Sequence, residues 1–303
     1  MEKEMSEEQY DIVILGTGPA GLQAAIHASR KKVTVVVLGK QHKSSAFWAH
    51  IENYCCINGV TGETLLEEGR KQAQSFGADF VDEDVIGVSQ DLMGFKVKVE
   101  SGRVFASKSL ILAMGVSRNK LNVPGEKELL GRGVSYCVEC DANFYKGEPV
   151  VVVGSESAAI SGALTLLFYA SGVHLVCEQI EVADVLANQV KESSIMIHQG
   201  REVKEIKGEN GVESVLLDDG STLDVKGIFI ELGAKGAIEL ASGLGVMLDP
   251  KSMKYIAANK KQETNIPGLY AAGDICGPPW QMAKAVGEGC VAGIEAANYA
   301  KKH

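Results

Sequence analysis

Short apolar runs that end at glycine, each followed by a stretch with helical spacing, set the rhythm of this chain. Asp11-Ile12-Val13-Ile14-Leu15 runs into Gly16, an alanine-rich stretch covers 22–29, and a second apolar run follows over 33–38. Continuous apolar runs of this length fit strands buried on both faces, with a helix packed on them. The pattern therefore predicts strand, tight turn, helix, strand. Runs over 95–99 and 103–106, joined by Ser101-Gly102, read as a meander, and 109–113 as a further buried strand ending at Met114-Gly115.

The plan then restarts. An apolar run over 149–153 meets Gly154, a helical stretch covers 157–169, and a strand follows over 173–177. A second meander is predicted over 203–206, 212–217 and 222–225, with turns at Glu209-Asn210-Gly211 and Asp218-Asp219-Gly220. The run 227–232 closes this unit. A last strand ends in an acid, Gly268-Leu269-Tyr270-Ala271-Ala272-Gly273-Asp274, and a helix over 281–301 finishes the chain. Two strand–turn–helix–strand units read as an internal duplication within an α/β protein of Rossmann-like architecture.

The first turn, Gly16-Thr17-Gly18-Pro19-Ala20-Gly21, is an intact dinucleotide fingerprint in the required strand–helix context. Its glycines allow a tight turn, close approach of a pyrophosphate and helix–strand packing, and the helix start adds N–H groups and partial positive charge. The strand before Gly39 ends without an acid, so the usual ribose partner of NAD is missing. The second turn, Gly154-Ser155-Glu156-Ser157-Ala158-Ala159, carries a carboxylate where the middle glycine belongs. Gly273-Asp274 offers an acid either to a flavin's ribityl chain or to the cap of the following helix.

Between the turns lies Cys137-Val138-Glu139-Cys140-Asp141, a dithiol at redox spacing with an acid beside it for proton transfer. Metal binding is not expected, because no second CxxC and no nearby His pair completes a ligand set. Cys55-Cys56 is a weaker dithiol candidate. Cys177, Cys276 and Cys290 read as packing cysteines.

The length of 303 residues suits two domains, and 46% apolar residues with 34 glycines suit a glycine-punctuated α/β protein. Net charge of −9 disfavours nucleic acid as a partner. No apolar run has membrane-spanning length, and the acidic start, Met1 to Glu8, does not read as a signal peptide. A cytoplasmic protein without membrane attachment is the expectation.

These residues resemble the low-molecular-weight thioredoxin reductases over nearly the whole chain. The matching blocks are Gly16 to Gly21, Glu52-Asn53, the run from Gly131 through Cys137 and Cys140 to Asp141, Ile266 to Asp274, and Gly287-Glu288-Gly289-Cys290. The resemblance implies two Rossmann-like, three-layer domains of the FAD/NAD(P)-binding kind. An FAD domain would be built from 1–116 and 246–303, with an inserted domain, 117–245, carrying the dithiol. It implies a homodimer in which the flavin reduces the dithiol and the dithiol reduces thioredoxin or a related redoxin. Cys140 would face the flavin, Cys137 would attack the substrate disulfide, and Asp141 would be the acid. The implied FAD contacts near the first fingerprint are Gly16, Gly18, Pro19, Ala20, Gly21, Gly39 and Lys40. The others are Asn53, Val85, Ala113, Gly115, Gly273, Asp274, Gln281, Met282 and Ala283.

Three departures from the family pattern decide the donor. Glu156 replaces the middle glycine of the second fingerprint. Cys177-Glu178-Gln179 stands where the family has His-Arg-Arg for the adenosine 2′-phosphate. Trp280-Gln281-Met282 stands where it has Arg-Gln-Ala, and Trp280 there would stack by the flavin and restrict access. A carboxylate at 4 Å from a phosphate costs about 4 kcal/mol at an effective dielectric of 20. Losing two arginines removes about 1.5–3 kcal/mol each. Together, after discounting for exposure, these amount to roughly a thousandfold in affinity or more. NADPH and NADH are therefore expected not to bind productively. The resemblance narrows to an NAD(P)H-independent branch whose donors include ferredoxin and a reduced deazaflavin. Arg30-Lys31-Lys32 with Lys40 and Lys43 offers a basic landing patch for a ferredoxin, or else an ordinary solvated surface. The alternatives are a conventional NAD(P)H-dependent thioredoxin reductase and a non-enzymatic redox-sensing flavoprotein.

Overall fold

The run from Ile12 to Leu15 has no polar face because both of its faces are covered. In the computed structural model, which describes residues 7–57, 59–116, 120–233 and 235–303, it forms the centre of a mainly parallel sheet. The acidic leader over 1–6 and the start of the predicted insertion at 117–119 lie outside the described residues. The chain divides into two units. One comprises Met1–Val99, Arg103–Val116 and Gly236–His303, and the other Glu100–Gly102 and Ser117–Lys235.

The first unit begins with β1 (Glu8–Leu15), α1 (Pro19–Arg30) and β2 (Val35–Leu38). A short hairpin, β3 (His50–Ile51) and β4 (Val60–Thr61), leads to α2 (Gly62–Ser75) and β5 (Ala78–Val81). Then come β6 (Val85–Asp91), β7 (Gly94–Val99) and β8 (Val104–Leu112). The sheet runs β5-β2-β1-β8-β7-β6, with β17 (Leu269–Ala271) also on β8. β8 corrects the sequence reading, which split it into 103–106 and 109–113. Its first half pairs antiparallel with β7, while its second half pairs parallel with β17, and it runs beside β1 throughout. One exposed residue, Lys108, interrupts the apolar pattern without ending the strand, because the ladder to β1 continues past it.

Alternate residues of β1 feed two cores. Ile12 and Ile14 pack with the alanines of α1 and of α7 (Met282–Ala300). Val13 and Leu15 pack with Val97, Phe105 and residues of α6 (Ala237–Ser242). α1 and α7 approach closely because α7 presents glycine. A Cβ on Gly289 would lie 2.1 Å from the Ala20 carbonyl oxygen, and one on Gly293 2.3 Å from that of Ala24. The sequence pattern left α2 unassigned. Its apolar face is thin, with Leu66 and Ala73 the buried side chains, and it is started by the Thr61 hydroxyl, which accepts from the Thr64 N–H.

The second unit repeats the scheme. β9 (Val134–Ser135) leads through α3 (Val138–Asp141) to β10 (Pro149–Val153), α4 (Ser157–Leu166) and β11 (Gly172–Cys177). α5 (Asp184–Lys191) and β12 (Met196–Gln199) follow, then the meander β13 (Val203–Lys207), β14 (Ser214–Leu217), β15 (Thr222–Asp224), and finally β16 (Gly227–Ile230). The five-stranded sheet runs β12-β11-β10-β16-β9, with every neighbour parallel. α4 ends at Leu166, short of the predicted 169, and leaves Phe168 exposed. Val150 and Val152 face one core and Val151 and Val153 the other, as in β1.

Candidate functional site

In the first unit the glycine and acid positions fall at the carboxyl ends of parallel strands, where α/β sheets bind ligands. Gly16 follows β1, Gly39 follows β2, Ala113 and Gly115 follow β8, and Gly273-Asp274 follow β17. Gly16 has φ +114°, and a Cβ there would sit 2.3 Å from the Ala113 carbonyl oxygen, so only glycine fits. Gly18 is the N-cap of α1, Pro19 opens the helix, and no side chain caps it. A Cβ on Gly21 would lie 1.9 Å from the Gly16 oxygen, which fixes the helix against the turn. Gly39 lies across from Gly16. This uncapped, glycine-lined helix start is a cradle that fits a dinucleotide pyrophosphate, so the residues present fit FAD.

Lys40 and Lys43 do not stand free beside this cradle. Both donate to the buried carboxylate of Asp84, at 3.2 and 2.8 Å, next to Val85 at the start of β6. Two of the five charges of the basic patch read from sequence are therefore held by an ion pair. Lys31 donates to Asn298, and Arg30 lies over the Phe76 ring.

At the other end of the site, Asn53 donates to the Gln281 side-chain oxygen at 3.0 Å, bringing together two predicted contacts far apart in sequence. Gln281 is the N-cap of α7, followed by Met282 and Ala283, and Trp280 before it is exposed. Lys284, which the sequence reading missed, ties this segment to the β17 turn. Its ammonium donates to the carbonyls of Gly273 (2.6 Å) and Gly277 (2.8 Å) and pairs with Glu288 (2.9 Å). Glu288 in turn accepts from the Gly273 N–H. The spacing of Lys284 and Glu288 on one helix was the available signal. Burial raises the Asp274 carboxyl above its usual range, opposed by Lys284 and reinforced by Glu288. Burial, with Glu288 adding to it, pushes the Cys276 thiol up to about 12.

The dithiol lies in the second unit, directly after β9. Cys137 and Cys140 are joined by a disulfide, S–S 2.08 Å. Cys137 is the N-cap of α3 and is buried, whereas Cys140 is exposed. Ser135 organises the motif: its hydroxyl donates to Asp141 at 2.6 Å and accepts from the Cys137 N–H at 3.1 Å. The buried Glu231 carboxylate accepts from the Val138 N–H, and the buried Lys235 ammonium donates to Glu139 at 2.6 Å. Glu231 carried no signal in the sequence, since it ends an apolar run. Burial raises the Tyr145 phenol, with Asp141 adding to the effect.

The second turn repeats the plan of the first, with one difference. Gly154 has φ +147°, and its N–H donates to Val176 O as that of Gly16 donates to Leu38 O. Glu156 is the N-cap of α4, the place Gly18 holds on α1. After β11, Glu178 and Gln179 are exposed, Gln179 donates to Glu181, and the Glu181 N–H donates to Ser155 O. A phosphate entering here would meet carboxylates and no arginine from this loop.

No helix among the described residues is long and apolar enough to cross a membrane. A family model described as Pyridine nucleotide-disulphide oxidoreductase matches residues 10–289. The thioredoxin reductase of Aquifex aeolicus is 34% identical over 304 residues, covering 96% of this chain and 93% of that protein. Among solved structures, the atypical thioredoxin reductase TRi of Desulfovibrio vulgaris Hildenborough matches with TM-score 0.84 and 34% identity, covering 98% of this chain and 99% of the other. A ferredoxin-flavin thioredoxin reductase of Clostridium acetobutylicum matches with TM-score 0.70 and 33% identity, covering 98% and 100%.

Proposed function

The chain belongs to the pyridine nucleotide-disulphide oxidoreductases, is an oxidoreductase of the thioredoxin-reductase type, and we propose that it takes its electrons from a donor other than NADPH or NADH. The observation that carries this reading is Glu156 at the N-cap of α4, where a pyrophosphate would need bare backbone N–H groups. Glu178 and Gln179 in place of arginines support it. The likeness to a ferredoxin-flavin thioredoxin reductase of Clostridium acetobutylicum makes ferredoxin the first donor to test, with a reduced deazaflavin next.

FAD, when bound, supplies the chemistry that links such a donor to a disulfide. Gly16 to Gly21, Gly39 and Asp274 would hold it, with Asn53 and Gln281 at the far end. We assign the FAD domain to the first unit, 1–116 with 236–303 rather than from 246, because α6 packs in that unit's core, and the dithiol domain to 117–235, in a cytoplasmic homodimer. The acceptor is a thioredoxin or related redoxin. The Cys137 thiolate attacks its disulfide and forms a mixed disulfide. Cys140 then attacks Cys137, releasing the reduced partner and restoring the Cys137–Cys140 bond. Asp141, oriented by Ser135, exchanges the proton. Because Cys137 is the buried member of the pair, it must be uncovered before that attack.

The decisive experiment is anaerobic titration of the flavin-loaded protein. NADPH and NADH are expected to leave the flavin absorbance unchanged, while a reduced ferredoxin or chemical flavin reductant bleaches it and drives redoxin reduction. Rapid stoichiometric bleaching by NADPH overturns the reading.

A further inference from the structure

Two thiols outside the site described above lie side by side. Cys55 and Cys56 are both exposed, with their sulfurs 3.5 Å apart. They are the central pair of a tight turn closed by the Ile57 N–H donating to Tyr54 O at 3.0 Å. Cys56 has φ +70°, the left-handed conformation that this turn position normally reserves for glycine or asparagine. A side chain is therefore held where the turn chemistry would favour none. The turn projects from the β3–β4 hairpin two residues beyond Asn53, whose side chain meets Gln281. The remaining free cysteines differ in kind: Cys177 is buried, and Cys276 and Cys290 are partly covered.

We propose that Cys55 and Cys56 form a second redox couple, an exposed vicinal dithiol that closes to a disulfide on meeting a disulfide oxidant. A thiolate of the pair attacks one sulfur of R–S–S–R, forming a mixed disulfide and expelling one R–S⁻, which takes up a proton. The neighbouring thiolate attacks the protein sulfur of that mixed disulfide and expels the second R–S⁻. Two protein thiols lose two electrons and two protons, and the two R sulfurs gain them. The sulfurs must close from 3.5 Å to about 2.0 Å, a shift that side-chain rotation in an exposed turn can supply. A ring between adjacent residues is strained, and strained, exposed disulfides are the readily reversed ones. The couple thus senses the disulfide load of its surroundings next to residues assigned to the cofactor. It stands whichever electron donor the enzyme uses.

The test is a thiol census of one peptide. Trypsin releases 44–70, whose cysteines are Cys55 and Cys56 alone. The Cys137→Ser/Cys140→Ser variant and the unsubstituted protein are equilibrated with glutathione and glutathione disulfide over a range of ratios. They are then quenched in acid, unfolded, alkylated and analysed by mass. The expected result is a passage from two alkyl groups to none, with loss of two hydrogen atoms and reversal by excess dithiothreitol. In Cys55→Ser, where the ring cannot form, a glutathione adduct on Cys56 should persist. Double alkylation at every ratio, a stable glutathione adduct in the unsubstituted turn, or no adduct in Cys55→Ser overturns the proposal. The unsubstituted protein decides the matter if a variant fails to fold.

Discussion

Glu156 and Gly18 occupy the same place on two copies of one turn, and the proposed loss of NAD(P)H binding rests on the difference between a carboxylate and a hydrogen atom. Gly18 leaves an anion-binding helix start open, whereas Glu156 puts negative charge at one. Restoring the pattern with Glu156→Gly and Glu178→Arg is expected to raise NADPH affinity by on the order of tenfold to a hundredfold, measured by equilibrium titration. Affinity that does not move would place the block elsewhere in the second unit. At the dithiol, Cys137→Ser should abolish redoxin reduction while the flavin stays bound and reducible. Redoxin turnover retained in that variant would direct attention to another cysteine pair.

Among the elements, the crossing of α1 and α7 matters most, because it carries the fingerprint at one helix start and Gln281 at the other. Gly289 and Gly293 let the two backbones touch. Gly293→Ala would push its new methyl into the Ala24 carbonyl. A destabilisation of about 1–3 kcal/mol is expected, visible in thermal unfolding together with weaker flavin retention. An unchanged melting temperature would mean that the crossing can widen without cost. β8 teaches a related lesson. Its apolar pattern breaks at Lys108, and only its ladders to β1, β7 and β17 show a single strand.

On the scale of the whole molecule, three weak acids of the first unit, Tyr10, Tyr270 and Cys276, make its stability sensitive to alkaline pH. Burial first, with Asp79 adding, pushes Tyr10 up to about 12, and burial, with Glu263 adding, does the same for Tyr270. Cys276 is likewise held at about 12. A raised folded-state value contributes stability that is complete below the unfolded value, 9.0 for the thiol and 10.0 for the phenols, and is lost as pH rises toward about 12. Stability measured by denaturant unfolding should therefore fall steadily above pH about 9. Flat stability from pH about 9 to 12 would contradict this assignment.

The sequence by itself determined the duplicated α/β plan, the intact and the altered turn, and the dithiol between them. Each is written locally: apolar runs long enough for strands, glycines where φ is positive, and cysteines at fixed spacing. It could not show the sets of contacts that close over long separations. Lys40 and Lys43 read as surface charge, whereas the fold sets the buried Asp84 carboxylate against both, and Asn53 meets Gln281 only in the fold. Glu231 under the dithiol helix and Lys284 across the β17 turn are likewise products of tertiary approach. α2 was invisible to patterning because its stability rests on a cap and a narrow buried stripe. Local covalent geometry and burial periodicity are readable along the chain. Which charge meets which carboxylate depends on how sheets and helices bring distant segments together, and that is decided only in three dimensions.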